Sequence, residues 1–101
     1  MFATPTHDLR QIKALIREQG PRAFTSMAIA CGRRELTMTV QEMIDMILAR
    51  NDITCYKTMP SQMHPDQMQD VYHWPTPFGQ IAYVKFSLGV RGKVVVSFKE
   101  K

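Results

Sequence analysis

Residues 80–99 read QIAYVKFSLGVRGKVVVSFK, and no other segment constrains the fold so tightly. In Gln80–Gly89, Ala82, Val84, Phe86 and Leu88 alternate with Ile81, Tyr83, Lys85 and Ser87. In Lys93–Lys99, Val94, Val96 and Phe98 alternate with Lys93, Val95, Ser97 and Lys99. Period-two alternation of this length specifies strands with one buried face. The apolar faces coincide when Leu88 lies opposite Val94, Phe86 opposite Val96 and Val84 opposite Phe98. A slip of one residue would turn a whole apolar set into water, so the register is strongly specified. It leaves Val90, Arg91 and Gly92 as a three-residue loop, with glycine where a type I turn needs a following left-handed residue. It also sets Tyr83 across from Lys99, and Lys85 across from Ser97, on the face away from the apolar row. Cross-strand β-carbons lie about 5 Å apart. That face is either a solvated sheet surface or a place where a phenol and an ammonium bind a phosphate and move a proton.

Upstream of this hairpin the chain reads as helices first. From Asp8 to Glu18, Leu9, Ile12, Leu15 and Ile16 return on one helical face; Thr6 or Asp8 caps the start, and Gly20–Pro21 stops it. Arg10, Lys13 and Arg17 recur on a neighbouring face, expected to be solvated. Residues 22–25 are a short strand or a connector, and Ser26–Arg34 suits a short helix. In residues 39–51, TVQEMIDMILARN, Thr39 and Glu42 form a capping box, and Val40, Met43, Ile44, Ile47 and Leu48 make a full apolar stripe. Met38, Met43 and Met46 read as core filler. After Asn51 come a strand at 53–58 (ITCYKT), a loop at 59–67, a strand at 69–74 (QDVYHW) and turn residues at 75–79 (PTPFG). The expected architecture is α+β: N-terminal helices packed on a mostly antiparallel C-terminal sheet, in a single domain spanning 1–101.

Composition excludes some functions and favours others. With 45% hydrophobic and 22% charged residues, the chain is neither disordered nor membrane-spanning, since no apolar run approaches the length of a span. Its 13 Lys+Arg exceed 9 Asp+Glu, for a net charge of +4, which favours a polyanion or acidic protein as partner. Cys31 and Cys55 lie far apart and form no ligand spacing, so neither a metal nor a cofactor is expected. The N-terminal MFATPTHDLRQIK lacks the basic and apolar regions of a secretory signal. A reducing cytoplasm and two small, half-buried thiols are therefore expected. His64 with Asp66 suggests a base and its orienter, but their proline-containing loop favours a surface histidine. His7 reads as a surface residue without a partner; for His73 both core and surface remain open. Tyr72 and Trp74 either stack bases or pack the sheet.

The segments CYKTM, QDVY, GQIAYVKF and VVVSFKEK together resemble the MqsR toxins, the motility quorum-sensing regulator family of bacterial mRNA interferases. PTHDLRQIKALI resembles the start of those proteins. The likeness covers nearly the whole chain and is strongest from Tyr56 onward. It implies a RelE-like toxin fold and endonucleolytic cleavage of mRNA, with GCU as the favoured site. It also implies an MqsA-type antitoxin partner with a zinc-binding and a helix-turn-helix domain, the zinc belonging to that partner. Carried over by position, the family's active-site lysine of the YK element falls at Lys57 and its glutamine before DVY at Gln69. Its strand tyrosine falls at Tyr83 and its SFKEK lysine at Lys99. GQIAY is one residue longer than the family's GQ-x-Y, and the hairpin register assigns the tyrosine to Tyr83. Tyr56, Tyr72, His73 and Lys85 are the accompanying candidates for RNA contact, with His73 standing where the family pattern suggests arginine.

RNA can be cut when its own 2′-hydroxyl attacks the adjacent phosphate. That reaction needs a proton acceptor, donors or cations on the phosphate, and a proton for the leaving 5′-oxygen. Lys57, Gln69, Tyr83 and Lys99 supply donors and charge without a carboxylate or histidine. The sequence thus supports a metal-independent endoribonuclease toxin in the cytoplasm, against the alternatives of a non-catalytic RNA- or DNA-binding module or a protein-interaction domain.

Overall fold

In a computed structural model, residues 4–61, 65–89 and 92–100 are described, the side chains of 99 and 100 excepted. Helix α1 (Leu9–Gln19) starts at Asp8, whose carboxylate accepts from the Arg10 amide at 2.9 Å. It ends at Gly20, where φ is 61°. A single 3-10 turn, Gly20–Ala23, connects it to helix α2 (Ser26–Glu35), capped by Thr25. Helix α3 (Val40–Ala49) carries the expected capping box: Glu42 N donates to Thr39 Oγ1 at 3.1 Å and Thr39 N donates to Glu42 Oε1 at 2.9 Å. Strands β1 (Cys55–Pro60), β2 (Met68–Pro75), β3 (Ile81–Leu88) and β4 (Val94–Glu100) form an antiparallel sheet in chain order. This is the α+β arrangement the sequence implies.

One face of the sheet packs on the helices. Tyr72, Trp74, Ala82, Val84, Phe86, Val94, Val96 and Phe98 meet Ile12, Ile16, Leu36, Met43 and Ile47 in one buried core. Met38, Met43 and Met46 are buried there, as their filler reading required. Helices α2 and α3 approach closely at Gly32, where a β-carbon would come within 2.6 Å of Met43 Sδ. The last hairpin has the register derived from its alternation: Leu88 pairs with Val94, Phe86 with Val96 and Val84 with Phe98. Gly92 N donates to Gly89 O at 3.1 Å, and Gly92 takes φ 73°, the left-handed conformation expected of it. Val90 and Arg91, the other residues of that loop, lie outside the described residues.

Three local readings need correction. Strand β1 starts at Cys55 rather than residue 53, because its pairing with β2 begins at Tyr72, and it runs on through Met59 and Pro60, expected in the loop. A proline is tolerated there because β1 is an edge strand. Of the two readings of residues 22–25, the connector holds: 20–23 form the 3-10 turn, and only Phe24 bridges to the sheet, parallel to Val96. Lys13 is not solvated: only 5% of it is exposed. Its ammonium donates to the Arg50 carbonyl and to Asn51 Oδ1 at 2.6 Å, at the C-terminal end of α3, and stands 5.8 Å from the Trp74 ring centre. A cation at that helix end satisfies an orphan carbonyl and complements the dipole, which the periodicity of α1 alone cannot reveal. His7 also has a partner, donating from Nε2 to Met68 O at 3.2 Å.

Candidate nucleic-acid interface and active site

The face of the sheet turned away from the helices carries the chemistry. Strand pairing lines up Lys57, Val71, Lys85 and Ser97 across all four strands, and His73, Tyr83 and Lys99 across three. Paired residues project to the same side, so both rows lie on this outer face. Gln69, two residues from Val71 and paired with Met59, belongs to it as well. All four positions carried over from the resemblance, Lys57, Gln69, Tyr83 and Lys99, therefore share one face although each comes from a different strand. For Lys99 this is a statement of strand position, since its side chain is outside the described set.

A bulge shapes one end of the face. The β1–β2 register shifts between Cys55 and Lys57, which leaves Tyr56 as the extra residue. Bulges re-aim side chains, and here the Tyr56 ring stacks on His73 with centroids 4.1 Å apart and planes 27° apart. The other side of the His73 ring meets Tyr83 at 5.4 Å and 43°. The Lys57 ammonium lies 6.0 Å from the Tyr56 ring centre, and that of Lys85 lies 5.6 Å from the Tyr83 ring centre. Tyr56 is 41% exposed, whereas His73, Tyr83 and Lys85 are half-buried. Val71, fully buried between the two lysine positions, gives the face an apolar floor.

No strand position of this face carries an acid. Glu100 pairs with Ala82 and so belongs to the opposite side, and Asp70 pairs with Phe86. Three lysine positions and two phenols without a carboxylate make a surface suited to a phosphodiester chain.

Two candidates lie elsewhere. Tyr72, expected among the RNA contacts, is a core residue, 2% exposed and edge-on to Trp74 and Phe86 at 5.9 and 5.5 Å. Its position in β2 is one residue out of phase with Val71 and His73, so no base can stack on it. Burial also drives its phenol well above the ordinary tyrosine range. Trp74 packs in the same core, as the strand-packing reading had it. His64 lies outside the described residues.

Sequence reasoning missed Asp70. Its carboxylate is 1% exposed and accepts from the Thr6 amide at 2.8 Å and the His7 amide at 2.7 Å. With the His7 bond to Met68, these contacts strap the segment before α1 onto β2 on either side of Gln69. An aspartate inside an apolar strand run was the available signal, because a buried carboxylate needs donors. A cavity of about 580 Å³ lies beside the starts of α1 and β1 and is lined by Asp8, Arg10, Asn51, Thr54 and Tyr72 among others. It contains none of the four carried-over residues.

The fold and this face define a small basic α+β domain with lysines and tyrosines gathered on an acid-free face of an open antiparallel sheet. The sequence model of a toxin family, described as "Motility quorum-sensing regulator, toxin of MqsA", matches residues 4–100, and the chain belongs to that family. It is thus a toxin of a toxin–antitoxin system, with an MqsA antitoxin implied as partner. No curated protein matches the chain. Among the described residues, no helix is long and apolar enough to cross a membrane.

Proposed function

We propose that this toxin is an endoribonuclease that cuts mRNA by activating the RNA's own 2′-hydroxyl, thereby stopping translation and growth. The observation that carries the reading is the gathering of Lys57, Gln69, Tyr83 and the Lys99 position on one acid-free sheet face. Lys57 and Lys99 stabilise the charge that builds on the phosphate, and one of them takes the 2′-proton. Tyr83 orients the scissile group or protonates the leaving 5′-oxygen, and Gln69 holds the phosphate or a neighbouring base. Tyr56 and Lys85 bind the flanking strand, Tyr56 offering its exposed ring to a base. These side chains supply donors and charge themselves, so cleavage is expected without a metal ion. Family membership supports a GCU-like preference and an antitoxin carrying zinc-binding and helix-turn-helix domains.

Purified protein incubated with RNA in EDTA tests the reading, with fragment ends mapped. Discrete cuts ending in 2′,3′-cyclic phosphate are expected, and Lys99→Ala and Tyr83→Phe should each slow them at least about tenfold. Salt-sensitive binding without fragments would replace the reading with that of a non-catalytic nucleic-acid-binding module.

A further inference from the structure

We propose that His73 is a positioning residue whose ring holds the Tyr83 phenol in its working orientation; this rests on the reading of the outer face as an RNA-cleaving site. The argument starts from who touches His73. Its ring is packed between two tyrosines, face to face with Tyr56 at 4.1 Å and tilted against Tyr83 at 5.4 Å. Tyr56 reaches that position because the β1 bulge places an extra residue there. The Tyr56–His73 pair is therefore a two-ring wedge, and the side it presents along the row is occupied by Tyr83.

Tyr83 needs such a wedge. It is in register with His73 on one side and with Lys99 on the other, so a change in its side-chain angle alters its approach to the Lys99 position. The Lys85 ammonium also lies 5.6 Å from the ring centre, but a flexible cation fixes an aromatic ring less firmly than a packed ring does. A flat, half-buried imidazole backed by another ring fixes it well, because both neighbours lose rotamer freedom in the folded protein rather than at the moment of reaction. The rings that meet His73 come from both neighbouring strands, Tyr56 from β1 and Tyr83 from β3. A planar ring wedged between them is the role this geometry supports.

This gives His73 a role distinct from that of the groups on the phosphate. Replacing it by alanine removes the wedge, and kcat should fall by roughly 10²-fold while KM changes by less than about threefold. His73→Phe keeps a planar ring and should restore kcat to within about threefold of the original. A second readout does not depend on cleavage: in protein carrying ¹³C-labelled tyrosine, the Tyr83 ring resonances should move in His73→Ala and return in His73→Phe. If phenylalanine is as inactive as alanine while the Tyr83 resonances return, His73 handles a proton or RNA directly and the proposal is overturned. Unmoved Tyr83 resonances in His73→Ala overturn it too. If the unaltered protein cuts no RNA, the proposed function fails, and the resonances alone still decide whether His73 sets Tyr83.

Discussion

Asp70→Ala probes the strap that holds the chain before α1 against β2. The carboxylate accepts two backbone amide bonds, from Thr6 at 2.8 Å and from His7 at 2.7 Å, and is 1% exposed. Hydrogen bonds to a charged group contribute about 1.5–3 kcal/mol each, so losing both costs about 3–6 kcal/mol if nothing replaces them. The strap is only partly buried at Thr6 and His7, and water can reach the freed amides, which sets the expectation near the lower end, about 3 kcal/mol. A domain of this size has about 5–15 kcal/mol in total, so the variant still folds. The midpoint of thermal unfolding should drop by about 12–24 °C. Asp70→Asn retains one acceptor oxygen but sets an amide N–H₂ against the other donor, and should fall between the two. Urea unfolding at an unchanged m-value measures the loss, and hydrogen exchange at the Thr6 and His7 amides localises it. A loss below about 0.5 kcal/mol, or full protection of those amides in Asp70→Ala, would refute the strap.

Burial lowers the pKa of Lys13, with the nearby Arg17 charge adding to the effect, so the folded protein releases this proton at a lower pH than the unfolded chain. Across the window from that depressed value up to 10.5, the unfolded state binds more protons and stability rises with pH. Lys13→Met should remove that rise in urea titrations, and a retained slope would assign it elsewhere. Tyr72 acts with the opposite sign: its phenol is raised by burial, the unfolded chain ionises first, and stability falls as pH passes 10. Tyr72→Phe should flatten that fall. Of the two thiols, half-buried Cys31 should react quickly with a disulfide reagent, while Cys55, 3% exposed and raised by burial, should react at a rate set by protein opening. Equal rates for both would contradict the burial of Cys55.

What the chain revealed of itself follows from how local each signal is. The β3–β4 register was readable because alternation, loop length and the left-handed Gly92 are three separate local constraints that agree. The capping box of α3 was readable for the same reason. Lys13 was not, because its burial is decided by where the end of α3 falls, and Arg50 and Asn51 lie far along the chain. Asp70 likewise needs donors from the opposite end of the molecule. Tyr72 was misassigned as an RNA contact although the alternation of QDVYHW contains the answer: if His73 shares a face with Tyr83, its neighbour must face the core.

The candidate site adds a case in which the regular pattern fails usefully. Alternation alone puts Cys55 and Lys57 on one face of β1 and Tyr56 on the other, which would bury Tyr56 or aim it away from the lysines. Instead Cys55 is 3% exposed in the core, Tyr56 stacks on outer-face His73, and Lys57 still pairs with Val71 on that same face. Two successive residues can both face outward only where the strand bulges. The bulge thus converts one strand position into two outward-facing ones: a cation aligned with Lys85, and an aromatic ring backing His73 beside Tyr83. No period-two reading of CYKTM could yield both. The irregularity in β1, rather than the regularity of β3 and β4, is what lets a four-stranded sheet present cations and stacked rings together.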